Sequence, residues 1–256
     1  HAGPVLALAW GDGPLVSSGA DRKLILWDAA GGRAADTLAL PAAARALALA
    51  PDGKRLASGS DDGLVRLWDV SAGKLTAAAG AAPFKGHTDW LLCLAFSPDG
   101  KLLASGGYDG TVRVWNVAAG KALAAPARAP APANAPAADL PAVTALAFSP
   151  DGKALAVGCG NAQVLLFNPA DGKFVRALSG HTSAVTGLAF HPSGAVLASA
   201  GKDRTVRLWS VANAQPLKVL EGHTAWVQGV AFVAYGTRLA SAGADGTVRL
   251  WELTGK

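Results

Sequence analysis

An aromatic residue closes a short apolar run six times along this chain, in segments such as VRLW and VRVW. The closing residues are Trp27, Trp68, Trp115, Phe167, Trp209 and Trp251, and the steps between them are 41, 47, 52, 42 and 42 residues. A fixed period of this length means that one supersecondary unit recurs, and that each unit buries its faces against its neighbours. The fold is therefore built from copies of one small element.

Two tight turns recur in the unit and define its strands. In SPDG (97–100 and 149–152) and APDG (50–53), proline presets φ and glycine accepts the left-handed conformation that closes a hairpin; HPSG (191–194) is a variant. Asp-Gly pairs at 62–63, 109–110 and 245–246 make the second turn. Each unit is thus predicted to be a four-stranded antiparallel meander, which is one blade of a β-propeller.

With GH, SPDG, LASG, DG and LWD at these offsets, the whole chain resembles the WD40 repeat family. The resemblance implies an all-β WD40 β-propeller, with one domain over residues 1–256. The repeats are expected at about 1–39, 40–86, 87–138, 139–180, 181–222 and 223–256. An Ala/Pro-rich stretch, 121–139, is predicted to be an exposed or extended loop, because repeated prolines prevent a helix.

The last repeat ends soon after its third strand, so we expect six blades, the last of them lacking one strand. In the WD40 family the missing strand usually comes from the other terminus. The parent protein is expected to have six or seven blades, with seven preferred. An unpaired strand edge of this kind favours aggregation.

The stretch from residue 86 to residue 116 contains His87, Ser105 and Asp109, the residue types of a hydrolase triad. Four repeats carry the same set at the same spacing, together with the closing tryptophan. The sets are His1–Ser17–Asp21–Trp27, His87–Ser105–Asp109–Trp115, His181–Ser199–Asp203–Trp209 and His223–Ser241–Asp245–Trp251. An enzyme needs one active site rather than four equal copies. The family resemblance implies a structural relay of hydrogen bonds, so no catalytic residue is assigned.

Two repeats depart from this pattern. The second has Ser58, Asp62 and Trp68, with Leu40 at the histidine position. The fourth has none of the four residue types: Asp139, Val157, Asn161 and Phe167 occupy these positions. We expect the fourth blade to depend on apolar packing and to be the least stable.

Composition excludes several classes of protein. The chain is 51% hydrophobic, has no uninterrupted apolar run long enough for a membrane span, and carries a net charge of +5. The Lys and Arg residues are scattered, which argues against a nucleic-acid partner. No Cys-x-x-Cys motif and no metal-ligand spacing occur, so neither a metal nor a cofactor is predicted. The compartment stays undetermined.

Family resemblance places protein or peptide binding on the top face of the propeller. Three kinds of position feed this face: three and five residues after the GH histidine, and one residue before the turn aspartate. The candidates that these positions supply are Trp90, Tyr108, Trp226, Leu92, Arg45, Asp61, Lys202 and Gln228. Exposed aromatics are typical anchors of protein interfaces. The alternative is that these aromatics pack against neighbouring loops.

The predicted function is a non-catalytic scaffold for an unidentified protein or peptide, acting as a monomeric domain of a larger chain. The first alternative is a sensor or docking module of a larger bacterial enzyme or signalling protein, since the Ala/Gly/Arg-rich composition suggests a bacterial source. Nucleic-acid binding ranks below both.

Overall fold

Short antiparallel strands joined by tight turns make up the structure, a computed structural model that describes residues 1–11, 14–123, 127–128 and 141–253. The strands form six sheets, and within each sheet consecutive strands are neighbours. This confirms the all-β fold of propeller blades. The chain divides into two compact units, His1–Pro126 (unit 1) and Ala127–Lys256 (unit 2).

Unit 1 contains sheets 1 to 3. Sheet 1 has the strands β1 (Val5–Trp10), β2 (Leu15–Gly19), β3 (Lys23–Asp28) and β4 (Arg33–Ala39). Sheet 2 has β5 (Ala44–Leu49), β6 (Arg55–Ser60), β7 (Val65–Ser71) and β8 (Lys74–Ala77). Sheet 3 has β9 (Leu91–Phe96), β10 (Leu102–Gly107), β11 (Thr111–Asn116) and β12 (Lys121–Ala122).

Unit 2 contains sheets 4 to 6, preceded by the two-residue strand β13 (Ala127–Arg128). Sheet 4 has β14 (Val143–Phe148), β15 (Leu155–Cys159), β16 (Val164–Phe167) and β17 (Phe174–Leu178). Sheet 5 has β18 (Val185–Phe190), β19 (Val196–Gly201), β20 (Val206–Ser210) and β21 (Pro216–Leu220). Sheet 6 has β22 (Val227–Val233), β23 (Arg238–Gly243) and β24 (Val248–Glu252), with a 3₁₀ turn, Ala234–Gly236, between β22 and β23.

The turns adopt the geometry that their residues predict. Gly100 ends the SPDG turn of sheet 3 with φ of 68°, and its N–H donates to the Ser97 carbonyl. Gly110 ends the second turn of that sheet with φ of 66°. Both angles lie in the left-handed region, which glycine adopts without steric cost. The two hairpins of this sheet are therefore closed locally, each by one turn glycine.

Apolar side chains are buried where neighbouring sheets of one unit meet. In unit 1, Leu67 of sheet 2 and Leu94 of sheet 3 belong to one buried cluster. In unit 2, Leu166 of sheet 4 and Trp209 of sheet 5 share another. In sheets 1 to 5 the second strand is buried at every residue after its first.

Sheet 6 has three strands among the described residues, as the repeat pattern predicts. Val248 and Leu250 of β24 are exposed, at 73% and 64%. The equivalent residues of sheet 5, Val206 and Leu208, are buried together with Val227 and Leu239 of sheet 6. The contrast shows that these two positions of a blade face the blade that follows.

The predicted loop over 121–139 needs a correction at its start. Lys121 and Ala122 form β12, which pairs with Trp115 and Asn116 of β11. The backbone groups of β11 need hydrogen-bond partners, and the first two residues of the stretch supply them before the prolines begin. Most of the remaining stretch, including Asp139, lies outside the described residues.

Candidate functional site

All six sheets have the same backbone irregularity at one end. The register between the first and second strands shifts by one residue there, which is a β-bulge. In sheet 2 the extra residue is Arg45, between Ala44 and Ala46; in sheet 6 it is Gln228, between Val227 and Gly229. The position five residues after the GH histidine is therefore the bulge residue, and we call this end of each sheet the bulge end.

A hydrogen bond connects the other two candidate positions in every sheet. The residue before the turn aspartate donates its N–H to the carbonyl of the residue three after the histidine position. The six pairs are Ala20 to Pro4, Asp61 to Ala43, Tyr108 to Trp90, Gly160 to Ala142, Lys202 to Ala184 and Ala244 to Trp226, at 2.7–3.0 Å. The backbone thus presents three side chains per sheet at the bulge end, whatever their identity.

In unit 1, four of the predicted residues form one contact chain. The Arg45 guanidinium donates from Nε and Nη2 to the two carboxylate oxygens of Asp61, a bidentate pair. Its Cζ lies 4.1 Å from the centre of the Trp90 ring, in cation–π geometry. Trp90 meets Tyr108 edge-on, with ring centroids 6.0 Å apart. We call these four residues the unit 1 cluster.

In unit 2, a similar arrangement joins sheets 5 and 6. The Lys202 ammonium lies 4.3 Å from the centre of the Trp226 ring. Gln228, the bulge residue of sheet 6, is exposed two residues further along the chain. We call these three residues the unit 2 cluster.

The aromatics of both clusters remain accessible. Trp90, Tyr108 and Trp226 are exposed at 41%, 51% and 52%. Each is therefore partly covered by its neighbours and partly open to solvent. Leu92, the bulge residue of sheet 3, is half-buried and offers less surface.

The indole N–H groups distinguish the closing tryptophans from the exposed Trp90 and Trp226. The five closing tryptophans each donate the indole N–H to a serine hydroxyl, at 2.8–2.9 Å. Within the described part of the chain, the indole N–H groups of Trp90 and Trp226 have no such acceptor. Since indole is a donor only, these two groups are available to a partner's oxygen atom.

The four predicted histidine sets have one geometry. In sheet 3, Trp115 Nε1 donates to Ser105 Oγ at 2.8 Å, His87 Nε2 lies 2.7 Å from the same oxygen, and His87 Nδ1 lies 2.8 Å from Asp109 Oδ2. The sets His1–Ser17–Asp21–Trp27, His181–Ser199–Asp203–Trp209 and His223–Ser241–Asp245–Trp251 repeat these contacts at 2.7–2.9 Å.

Burial and hydrogen bonding together determine the ionisation of these buried groups. Burial lowers the pKa of His181 and outweighs the opposite effect of the hydrogen bond that His181 makes to Asp203, so this imidazole is neutral near pH 7. For Asp203, burial alone would raise the pKa. Hydrogen bonds from the Thr182 N–H, His181 and Thr205 outweigh it, and the pKa lies below its usual range. The pKa values of Asp109 and Asp245 are lowered as well, and the carboxylates stay charged.

The chemistry of a serine hydrolase does not fit this geometry. Ser105 and Ser199 are fully buried, and each hydroxyl oxygen already contacts a tryptophan N–H and a histidine nitrogen. A nucleophilic serine must meet a substrate carbonyl beside an oxyanion hole. Among the described residues, no group of three or more His, Cys, Asp or Glu is placed to hold a metal ion.

In sheet 2 the histidine position is apolar and the relay is shortened. Leu40 is buried, and Trp68 still donates to Ser58 Oγ at 2.8 Å. Asp62, without an imidazole beside it, accepts two hydrogen bonds from the Arg66 guanidinium. In sheet 4, Val157 and Phe167 are buried at the serine and tryptophan positions, and the Asn161 side chain donates a hydrogen bond to Gln163.

Sequence reasoning selected the cluster residues but missed how they pair. It treated Arg45, Asp61 and Lys202 as separate polar groups. A signal existed, because Arg45 and Asp61 carry opposite charges at positions that the bulge-end hydrogen bond brings together. The stacking of a cation on the tryptophan of the next sheet has no local signal.

Family comparison agrees with this architecture. The model described as "WD domain, G-beta repeat" matches residues 1–28, 41–69, 81–116, 172–210 and 214–252, which together are more than half of the chain. A second, "Anaphase-promoting complex subunit 4 WD40 domain", matches residues 133–183, where the fourth repeat departs from the common pattern. The chain belongs to the WD40 repeat family.

One curated relative is similar over part of its length. The chain is 35% identical over 118 residues to "Mitochondrial division protein 1" of Emericella nidulans. The similar region covers 37% of this chain and 17% of that protein. The chain therefore corresponds to a small part of that relative.

A search of the described residues for membrane-spanning helices gives a negative result. None of their helices combines the length and the apolar character that a bilayer crossing requires.

Proposed function

We propose that this chain is a non-catalytic scaffold that binds protein or peptide segments at the bulge ends of its sheets. The observation that carries the proposal is the pairing of an exposed tryptophan, whose indole N–H has no acceptor in the described chain, with a cation from the preceding sheet. This pairing occurs once in each unit, at Trp90 and at Trp226.

The contacts of Trp90 favour binding because they fix its ring in advance. Arg45 covers one face, and Asp61 holds the guanidinium in place through two hydrogen bonds. Tyr108 restricts the ring from the side. An exposed aromatic that is already ordered loses little conformational entropy when a partner covers it, and such residues dominate the energy of interfaces.

Selection from a random dodecapeptide display library tests the proposed scaffold function. The library is selected in parallel on the wild-type chain and on variants. We expect enriched peptides on the wild-type chain and their loss on a Trp90→Ala/Tyr108→Ala/Trp226→Ala variant of unchanged fold. Truncating interface anchors of this kind costs about 2 kcal/mol or more, a loss of roughly thirtyfold in affinity.

Tyr235→Ala is the matched control. Tyr235 is 99% exposed and lies in the turn at the opposite end of sheet 6 from the bulge. Its replacement should leave the selected peptides unchanged. Peptides that bind the triple variant as well as the wild-type chain would show that the bulge ends are not the binding surface.

The same surface would serve the alternative role of a docking module in a larger protein. In the Emericella nidulans relative, the similar region is 17% of a longer chain. The two roles differ in what else the parent chain contains, and they predict the same dependence on the three aromatics.

A further inference from the structure

We propose that the unit 2 cluster selects acidic residues in the peptides that it binds, with the Lys202 ammonium and the Trp226 indole N–H as the two donors to a carboxylate. This inference rests on the proposed scaffold function and adds the chemical class of the ligand. It follows from a difference between two positions that the fold makes equivalent.

Equivalent backbone positions carry opposite charges in the two clusters. Asp61 and Lys202 both precede the turn aspartate, and both donate their backbone N–H to the residue three after the histidine position. Trp90 and Trp226 are likewise equivalent in sheets 3 and 6. The bulge residues differ too: Arg45 in sheet 2 corresponds to Thr186 in sheet 5.

In unit 1 the cation on the tryptophan face is already neutralised. The Arg45 guanidinium is bonded through Nε and Nη2 to both oxygens of Asp61. A ligand carboxylate would have to compete with that bidentate pair. The unit 1 cluster therefore offers aromatic surface without an uncompensated charge.

In unit 2 the cation has no acid beside it. Within the described part of the chain, Lys202 makes no ion pair, and Thr186 donates its hydroxyl to the Ala200 and Val227 carbonyls instead of meeting Lys202. An ammonium over an indole ring turns part of its N–H surface towards the π face and keeps its charge and its outward N–H groups. These donors are free for a ligand.

Other charges at this end do not cancel that of Lys202. The carboxylates of Asp203 and Asp245 are 5% exposed, and each accepts hydrogen bonds from a histidine, a backbone N–H and a threonine hydroxyl. Arg204 is exposed and adds positive charge, whereas Glu221 lies beyond the end of β21 without contacting Lys202. The accessible charge nearest to Trp226 is positive.

Peptide acids fit better than nucleic acid. A nucleic-acid surface needs several cations spaced along a backbone, whereas this cluster has Lys202, with Arg204 two residues away. A single carboxylate beside an aromatic ring matches one ammonium and one indole N–H. Gln228 is exposed next to them and can bond to the peptide backbone.

Degenerate nonapeptide pools with a fixed central residue test the proposal. Three fluorescein-labelled pools contain Glu, Gln or Lys at the centre, with uncharged residues at the other positions. We expect the wild-type chain to retain the Glu pool about five- to tenfold more than the Gln pool, because a charge-assisted hydrogen bond contributes roughly this much at an exposed site. Higher salt should reduce the preference.

Variants at Lys202 should change the preference and leave the fold intact. Lys202→Gln should bring the Glu and Gln pools to equal retention, and Lys202→Glu should favour the Lys pool. Lys153→Gln is the matched control, because Lys153 is an exposed lysine in the turn at the opposite end of sheet 4. It should leave the preference for the Glu pool unchanged.

Each remaining outcome decides against the inference in a distinct way. Equal retention of the Glu and Gln pools, with loss of both on Trp226→Ala, would overturn acid selection and leave the scaffold function standing. Retention that does not depend on Trp226 in any pool would overturn both at this cluster. A labelled oligothymidine that binds through Lys202, with no preference for the Glu pool, would assign the cluster to nucleic acid instead.

Discussion

Sheets 4 and 5 are neighbours in unit 2 with equivalent backbones and different interiors. Their second and third strands pair in the same register, Val157 with Leu165 in sheet 4 and Ser199 with Arg207 in sheet 5. Sheet 5 contains the hydrogen-bonded set His181–Ser199–Asp203–Trp209. Sheet 4 replaces the serine, aspartate and tryptophan of that set with Val157, Asn161 and Phe167.

The difference teaches that the members of a complete relay depend on one another. Each buried polar group of sheet 5 depends on the next one, so the loss of one member leaves others unsatisfied. Sheet 4 lacks both the serine hydroxyl and the indole N–H, and its buried Val157 and Phe167 require no hydrogen bond. The same backbone thus accepts a complete polar network in sheet 5, a shortened one in sheet 2 and an apolar interior in sheet 4.

The largest expected effect is the loss of the apolar core of sheet 4. Phe167→Ala should lower the free energy of unfolding by about 3–5 kcal/mol, because it leaves a cavity in place of a buried ring. Urea denaturation measures this. Phe174, which meets Phe167 edge-on at 5.9 Å but is 47% exposed, is the control. Equal losses for Phe167→Ala and Phe174→Ala would contradict an apolar interior.

In sheet 5, breaking the relay should cost less than that cavity. His181→Ala should lower the free energy of unfolding by about 1–3 kcal/mol, since Ser199 and Asp203 lose a buried partner. Asn161→Ala, at the aspartate position of sheet 4, should stay within about 0.5 kcal/mol of the wild-type value.

Replacing the whole relay tests this interdependence directly. The quadruple variant His181→Leu/Ser199→Val/Asp203→Asn/Trp209→Phe should lose less stability than the sum of the four single changes. Strict additivity of the four values would refute the coupling.

The free energy of local opening should differ between sheets 4 and 5 by less than the effects of the substitutions above. The amides of β15 and β16 should exchange with solvent hydrogen faster than those of β19 and β20, by an opening free energy of about 1 kcal/mol. Native-state hydrogen exchange resolved by mass spectrometry measures this for each strand. Uniform protection across these four strands would show that the relay adds no local stability.

Acidification should affect sheet 5 more than sheet 4. The pKa of His181 in the folded chain lies below its ordinary value. Below about pH 6.5 the unfolded chain therefore binds a proton that the folded chain does not, and the free energy of unfolding decreases as the pH decreases. The lowered pKa of Asp203 acts in the same direction at lower pH: its contribution is present above the ordinary pKa and is lost as pH falls through the folded one.

Unfolding midpoints at pH 7.5 and pH 5.5 measure the contribution of His181. A His181→Gln variant should lose less stability than the wild-type chain over this interval, whereas Asn161→Ala should lose as much as the wild type. An identical pH dependence for the wild type and His181→Gln would show that His181 does not contribute to the loss of stability in acid.

Much of the fold follows from local signals. The turn glycines and the closing aromatics define hairpins whose register is set within about 20 residues, so the positions of Ser199 and Trp209 on adjacent strands could be derived from their spacing. The short strand Lys121–Ala122 escaped prediction because its pairing is imposed by the neighbouring edge of β11 and not by its own residues.

The sequence by itself determined the repeats, the turns, the histidine sets and the three side-chain positions presented by each sheet, because these depend on neighbouring strands joined by tight turns. Only the tertiary structure decided that Arg45 stacks on Trp90 and that Lys202 stacks on Trp226. Those contacts join side chains of different sheets. The packing of one sheet against the next, together with the reach of long flexible side chains, selects them, and no spacing along the chain encodes that choice.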